Sequence, residues 1–212
     1  MKKLLLLTGP QGSGNHIFSR IFSWHPEVKG WDAILERYWV PTDEDFFARY
    51  FVEPEELKKE FFDQSDYFVT DISCPFVYNG NVVIPTLKEF INKVESFGVQ
   101  VIVGIIVRDE NINTEQQKRL RGRRTLDIAL EEYEGLNNLN YLSLESLFLH
   151  KSKYLEWVSK VIDFPVNTNH PDLFKFLDES PNKKYVKYVE EYWLDDIVKK
   201  GLIPFEERQS NK

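Results

Sequence analysis

Continuous apolar runs bounded by turn signals recur at residues 4–7, 67–72, 99–107 and 141–144, with a shorter one at 28–31. They do not alternate with polar positions, so they predict strands buried on both faces of a parallel sheet. Between them, apolar residues return at helical spacing over 17–24, 43–49, 54–62, 85–97, 114–134 and 153–161. Strands alternating with helices predict an α/β fold, with helices layered on both faces of a mainly parallel sheet of about five strands. The chain from residue 171 reads differently. Tyr185, Val189, Tyr192, Trp193, Ile197 and Val198 stripe a charged background, which predicts an amphipathic helix and a frayed end over 206–212. The expected organisation is an α/β domain over residues 1–170 and a helical extension over 171–212 packed on the same domain. A helix that binds a partner is the alternative for the extension.

Length and composition narrow this picture. A chain of 212 residues fits one domain with trimmings and buries enough surface to need no disulfide or metal staple. The single cysteine, Cys74, excludes an intramolecular disulfide framework and a cysteine-rich zinc site, and it fits a reducing compartment. It falls at a strand end, where an accessible thiol is expected. The N-terminal apolar run is four residues long and stops at Thr8-Gly9-Pro10. A signal peptide needs about 7–15 apolar residues and a membrane span about 20, so a cytoplasmic protein with no membrane partner is expected. The net charge of −7 argues against a nucleic-acid partner.

The sharpest chemistry follows the first strand: Gly9-Pro10-Gln11-Gly12-Ser13-Gly14-Asn15-His16, then the helix beginning at Ile17. A strand that feeds a glycine-rich turn opening a helix suits an anion. The glycines let backbone N–H groups converge, and the helix N-terminus adds favourable partial charge. The spacing of Gly9 and Gly14 matches the first half of a phosphate-binding P-loop. The second half differs, with Asn15 in place of lysine and His16 in place of Ser/Thr. A tight structural turn is the plainer explanation of the same glycines.

The run Ser13-Gly14-Asn15-His16-Ile17-Phe18-Ser19-Arg20-Ile21-Phe22-Ser23-Trp24-His25-Pro26-Glu27-Val28 resembles the opening of the sulfotransferase family. Three later segments agree in order. Asp71-Ile72-Ser73-Cys74-Pro75 resembles a family strand end, without its lysine. Val107-Arg108-Asp109 resembles the end of the strand that carries the 3′-phosphate arginine. Tyr141-Leu142-Ser143-Leu144-Glu145-Ser146-Leu147, with a helix and Asp163-Phe164-Pro165 after it, resembles the family's closing segment. The resemblance implies a P-loop NTPase-like three-layer fold. It also implies transfer of a sulfuryl group from 3′-phosphoadenosine 5′-phosphosulfate (PAPS) to the hydroxyl or amine of a small-molecule or glycan acceptor. Gly12, Ser13, Gly14, Asn15 and His16 would hold the phosphosulfate, and Arg108 the 3′-phosphate. Two positions depart from the pattern: Gly12 stands where the family has Arg/Lys, and Gln116 where it has serine eight residues after the arginine.

In-line sulfuryl transfer needs positioning, donors for the charge developing on the leaving phosphate, and a base for the acceptor. His16 is the candidate donor, partly replacing the missing lysine, and Asp32 the candidate base, with Glu36 next. Asp32 equally suits a helix cap before residues 33–38. The run Lys118-Arg119-Leu120-Arg121-Gly122-Arg123-Arg124 supplies Arg123 and Arg124 as further phosphate ligands in a closing lid, or else a solvated helix face. No metal is required. The acceptor pocket is expected within residues 31–62 and 119–135. Two other functions fit the same loop: a nucleotide- or metabolite-kinase-like phosphotransferase, and a P-loop binding module without catalysis that uses Phe46-Phe47 and Phe61-Phe62 as a partner surface.

Overall fold

The computed structural model describes residues 1–30, 47–121, 124–178, 180–183 and 185. Five strands form the main sheet: β1 (Lys3–Pro10), β2 (Val28–Lys29), β3 (Tyr67–Cys74), β6 (Gln100–Val107) and β7 (Leu139–Ser143). Their order is β2-β3-β1-β6-β7, and every neighbouring pair is parallel. The four leucines of β1 are fully buried. Leu4 and Leu6 face one core with Phe68, Val103 and Ile105, while Leu5 and Leu7 face a second core with Val69, Ile102, Ile106 and Leu142. Successive side chains of a strand point to opposite faces, so an unbroken apolar run is what a twice-covered central strand requires. Each fully buried leucine contributes about 1.5–3 kcal/mol.

The helices are α1 (Asn15–Ser23), α2 (Leu87–Ser96), α3 (Glu110–Arg121), α4 (Leu126–Tyr133), α5 (Leu144–His150), α6 (Ser152–Ile162) and α7 (Leu173–Phe176). Phe18, Ile21 and Phe22 of α1 join one core with Leu147, Leu155, Val158, Leu173 and Leu177. Phe90 and Val94 of α2 and Ala129 and Tyr133 of α4 join the other. The result is the expected three-layer α/β arrangement around a five-stranded parallel sheet. In the extension, Leu173, Leu177 and Tyr185 are buried; Val189, Tyr192, Trp193, Ile197 and Val198 lie outside the described residues.

Two local expectations change, and one element is added. The helix expected over 54–62 is two 3₁₀ turns, Pro54–Glu56 and Lys59–Asp63. Leu57 and Phe62 are both buried, five residues apart, and on an α-helix that spacing would set them about 140° apart. Extended backbone at Leu57 and Lys58 lets both reach the core. The helix expected over 114–134 is two helices, α3 and α4. Asn79-Gly80 turns a hairpin between β4 (Phe76–Tyr78) and β5 (Asn81–Val83), both residues having positive φ as a two-residue turn demands.

The expected phenylalanine surface is core instead. Phe47 and Phe62 are buried, and the Phe47 ring packs with those of Phe61, Phe62 and Phe90; Phe46 lies outside the described residues. Cys74 is likewise fully buried rather than accessible, and burial, reinforced by Glu132, pushes its thiol up to about 12. A neutral, enclosed thiol is a poor nucleophile. Native protein at pH 8 is therefore expected to leave a thiol-disulfide reagent unreacted, with one equivalent consumed only after denaturation.

Candidate functional site

The connection leaving β1 leads to the β3 side of the sheet, and the connection leaving β6 leads to β7 on the other side. Loops that diverge this way open a crevice at the C-terminal ends of the strands, the usual ligand position in open α/β sheets. The glycine-rich turn lies at the end of β1, and Arg108 directly follows β6. Sequence order alone would put them almost a hundred residues apart, and the topology makes them neighbours.

The turn is built to fit tightly. Gly12 and Gly14 have φ of 85° and 107°. The Ser13 N–H donates to the Pro10 carbonyl (3.0 Å), and Gly14 caps α1. Ser13 and Asn15 are buried. Ser13 Oγ donates to Asn15 Oδ1 (2.6 Å), and Asn15 Nδ2 donates to the Ile72 carbonyl (3.0 Å) and Ser73 Oγ (3.3 Å). These two side chains, expected to face an anion, tie the turn to β3 instead.

The other flank is secured from α3. Gln117 Nε2 donates to the Gln11 carbonyl (2.6 Å), Gln117 Oε1 accepts from the Thr125 N–H (2.7 Å), and Thr125 Oγ1 accepts from the Gln11 N–H (3.2 Å). Gln11, Gln117 and Thr125 are all buried, so each bond saves a polar group from an unpaired interior position. Sequence reasoning passed over this closed ring, because three uncharged polar residues far apart in the chain carry no spacing signal.

Arg108 crosses the crevice. Its Nη1 donates to the Gly12 carbonyl (2.6 Å) and to Gln116 Oε1, and its Nε donates to Asn182 Oδ1 (2.7 Å). The guanidinium lies 5.5 Å from the centre of the Tyr185 ring. Glu145 Oε1 accepts from Asn182 Nδ2 (2.6 Å) and from the Asp109 N–H (3.0 Å), which fixes the frame around the arginine. Burial lowers the guanidinium's pKa from its ordinary value, against the opposing pull of Tyr185, Glu145 and Asp109. Gln116, the departure from the family pattern, thus keeps the place of a polar partner to Arg108.

His16 sits in the first turn of α1, partly exposed, with Nδ1 2.6 Å from Oδ2 of the fully buried Asp71 on β3. Arg124 pairs with Glu110 (2.7 Å) and, more distantly, Asp127 (3.8 Å), so its guanidinium is engaged by α3 and α4. Asp32, Glu36 and Arg123 lie outside the described residues. Beside Arg108 a cavity of about 480 Å³ is walled by Pro10, Asn113, Gln117, Leu130, Tyr133 and Tyr141, with Glu110, Glu131 and Glu134 among its acidic lining. Part of this wall falls within the expected 119–135 region. Among the described residues no group of three or more His, Cys, Asp or Glu is placed to hold a metal ion, and no helix is long and apolar enough to cross a membrane.

No protein-family model matches this chain, and no curated protein matches it. Among solved structures, it is similar to mouse sulfotransferase SULT7A1 complexed with PAP, at a TM-score of 0.45 and 12% identity, over 85% of this chain and 64% of that one. The chain thus spans less than two thirds of that structure's length.

Proposed function

We propose that this protein is a sulfotransferase-like enzyme whose crevice binds PAPS and passes its sulfuryl group to a hydroxyl or amine of a small-molecule or glycan acceptor. The observation that carries the reading is the meeting of Arg108 with the Gly12 carbonyl across the crevice, with Gln116 on the same guanidinium. An anion-binding turn and a forked cation then stand at one topological switch point. The ordered sequence segments around Ser13–Val28, Arg108 and Tyr141 add the choice of nucleotide. In this reading, the backbone N–H groups of Gly12, Gly14, Asn15 and His16 hold the 5′-phosphosulfate with the His16 side chain, the Ser13 N–H being engaged by Pro10. Arg108 turns from Gln116 and Asn182 to the 3′-phosphate. Asp32 serves as base, Arg123 and Arg124 close from the α3–α4 connection, and the cavity beside Arg108 houses the organic part of a ligand.

Thermal unfolding with the product nucleotide 3′-phosphoadenosine 5′-phosphate, compared with ATP and magnesium, tests the reading. A ligand at a hundred times its dissociation constant adds about 2.7 kcal/mol. For a chain of this size that corresponds to a rise in Tm of about 5–10 °C. The bisphosphate is expected to give that rise and ATP with magnesium none. A rise with ATP and magnesium alone would support the kinase-like alternative, and no rise with either would support a binding module.

A further inference from the structure

In P-loops that hydrolyse nucleoside triphosphates, the hydroxyl closing the loop and an aspartate on a nearby strand hold magnesium between them. Here His16 stands where such a loop has its hydroxyl, and it is paired directly with Asp71 on the adjacent strand β3. With Nδ1 2.6 Å from Oδ2, no metal ion fits between them. Asp71 sits on β3, which pairs with β1 along its whole length, so the carboxylate is delivered rigidly to the start of α1. It is fully buried, whereas His16 is partly open to solvent. A buried carboxylate 2.6 Å from the ring favours a charged imidazole. In an imidazolium the opposite ring atom, Nε2, carries a proton as well.

We propose that Asp71 holds the His16 imidazole as the cation of the glycine turn, so that anion binding is metal-independent and proton-linked. Asp71 acts as a positioning residue and His16 as the ligand-binding one. The inference rests on the anion-site reading of the crevice. Elements packed against α1 bring other charged or titratable groups: Tyr67 and Cys74 on β3, Lys29 on β2 and Lys3 on β1. Arg20 lies one turn further along α1 and stacks over Trp24 and Phe176, and His170 stacks on Trp24. Among the described residues, Asp71 is the charged group paired with the ring. The sign follows directly: the imidazolium is present at low pH, so affinity for the anion falls as pH rises through its titration.

The experiment has two readouts on the full chain. Nitrogen-15 NMR of the histidine ring without ligand is expected to show His16 titrating at least about one pH unit lower in Asp71→Asn than in the wild type. Binding of 3′-phosphoadenosine 5′-phosphate in the presence of EDTA is expected to weaken about tenfold as the imidazole deprotonates. Asp71→Asn should move that loss to lower pH, and His16→Gln, which leaves the buried strand intact, should flatten the profile. Equal titration in wild type and Asp71→Asn overturns the pairing, and so does a flat binding profile in the wild type. Nucleotide binding with a flat profile removes the pair while leaving the nucleotide reading intact. A coupled titration with neither the bisphosphate nor inorganic sulfate bound at any pH overturns the proposal through the anion-site reading instead.

Discussion

Arg108→Ala is expected to destabilise the protein by about 2–4 kcal/mol and to remove stabilisation by the bisphosphate altogether. The guanidinium is the shared partner of the Gly12 carbonyl, Gln116 and Asn182, and it packs over Tyr185. Hydrogen bonds from a charged donor contribute about 1.5–3 kcal/mol each when their partners are left without replacement. Water can reach part of a crevice, so the sum falls well short of three full bonds. At about 2–4 °C per kcal/mol for a chain of this length, the melting temperature should fall by about 4–16 °C. Arg108→Lys separates charge from geometry. An ammonium retains the charge and loses the planar fork, so it reaches one of these acceptors and not the set. Its expected stability is intermediate, with ligand stabilisation still largely lost. A wild-type melting curve for both variants would show that the crevice is held by other contacts. A ligand-induced shift preserved in Arg108→Ala, measured against that variant's own baseline, would remove Arg108 from the nucleotide site.

The sheet was legible because its physics is one-dimensional. A central strand covered on both faces must be apolar at every position, and Leu4, Leu5, Leu6 and Leu7 say so without any knowledge of their partners. The same holds for residues 99–107, which β6 nearly fills. Where two distant anchors compete with local propensity, the pattern misleads. Residues 54–62 carry a helical pattern, and the need to bury both Leu57 and Phe62 turned the segment into two short 3₁₀ turns. The hairpin at Asn79-Gly80 did carry a signal, since that dipeptide supplies two positive φ angles at little cost. Short strands with partly polar composition hid it.

Legibility of the site divides along the same line. Gly12, Gly14, His16 and Arg108 were visible because a strand, a turn and a helix start are local, and because one arginine ends a strand. Their partners were not. Asp71 reads as an ordinary strand residue until the β1–β3 register sets it beside His16. Gln11, Gln117 and Thr125 form a ring only after α3 and α4 fold over the turn. Ser13 and Asn15 show the reverse error. Polar residues in a phosphate-binding pattern invite a ligand role, yet the turn uses both to satisfy its own interior. A polar side chain in such a turn bonds either outward or inward, and only the neighbouring strand decides which.

Gly14→Ala is the second large effect, and it joins stability to the crevice. Gly14 caps α1 at φ 107° and ψ 23°, a backbone conformation that residues with a Cβ seldom adopt. Holding alanine there costs about 1–3 kcal/mol of backbone strain. The added Cβ would also lie 2.9 Å from Leu144 Cδ1 and 3.2 Å from its Cδ2. Leu144 is buried at the start of α5 among Leu142 and Leu147, so its side chain has little room to retreat. Overpacking a filled core adds about 1–3 kcal/mol. The combined expectation is a loss of about 2–6 kcal/mol, read as a fall of about 4–24 °C in Tm. The control is Gly80→Ala at the tip of the β4–β5 hairpin. It also has positive φ, yet nothing stands within 4 Å of its would-be Cβ, so it should pay the strain alone. If Gly14→Ala relaxed the turn by opening it, the Ser13 N–H would leave the Pro10 carbonyl, and the Gln11 and Gly12 carbonyls would lose register with Gln117 and Arg108. Ligand stabilisation would then vanish along with part of the fold's own stability. An unchanged Tm in Gly14→Ala would mean that neither the backbone angle nor the Leu144 contact constrains the start of α1.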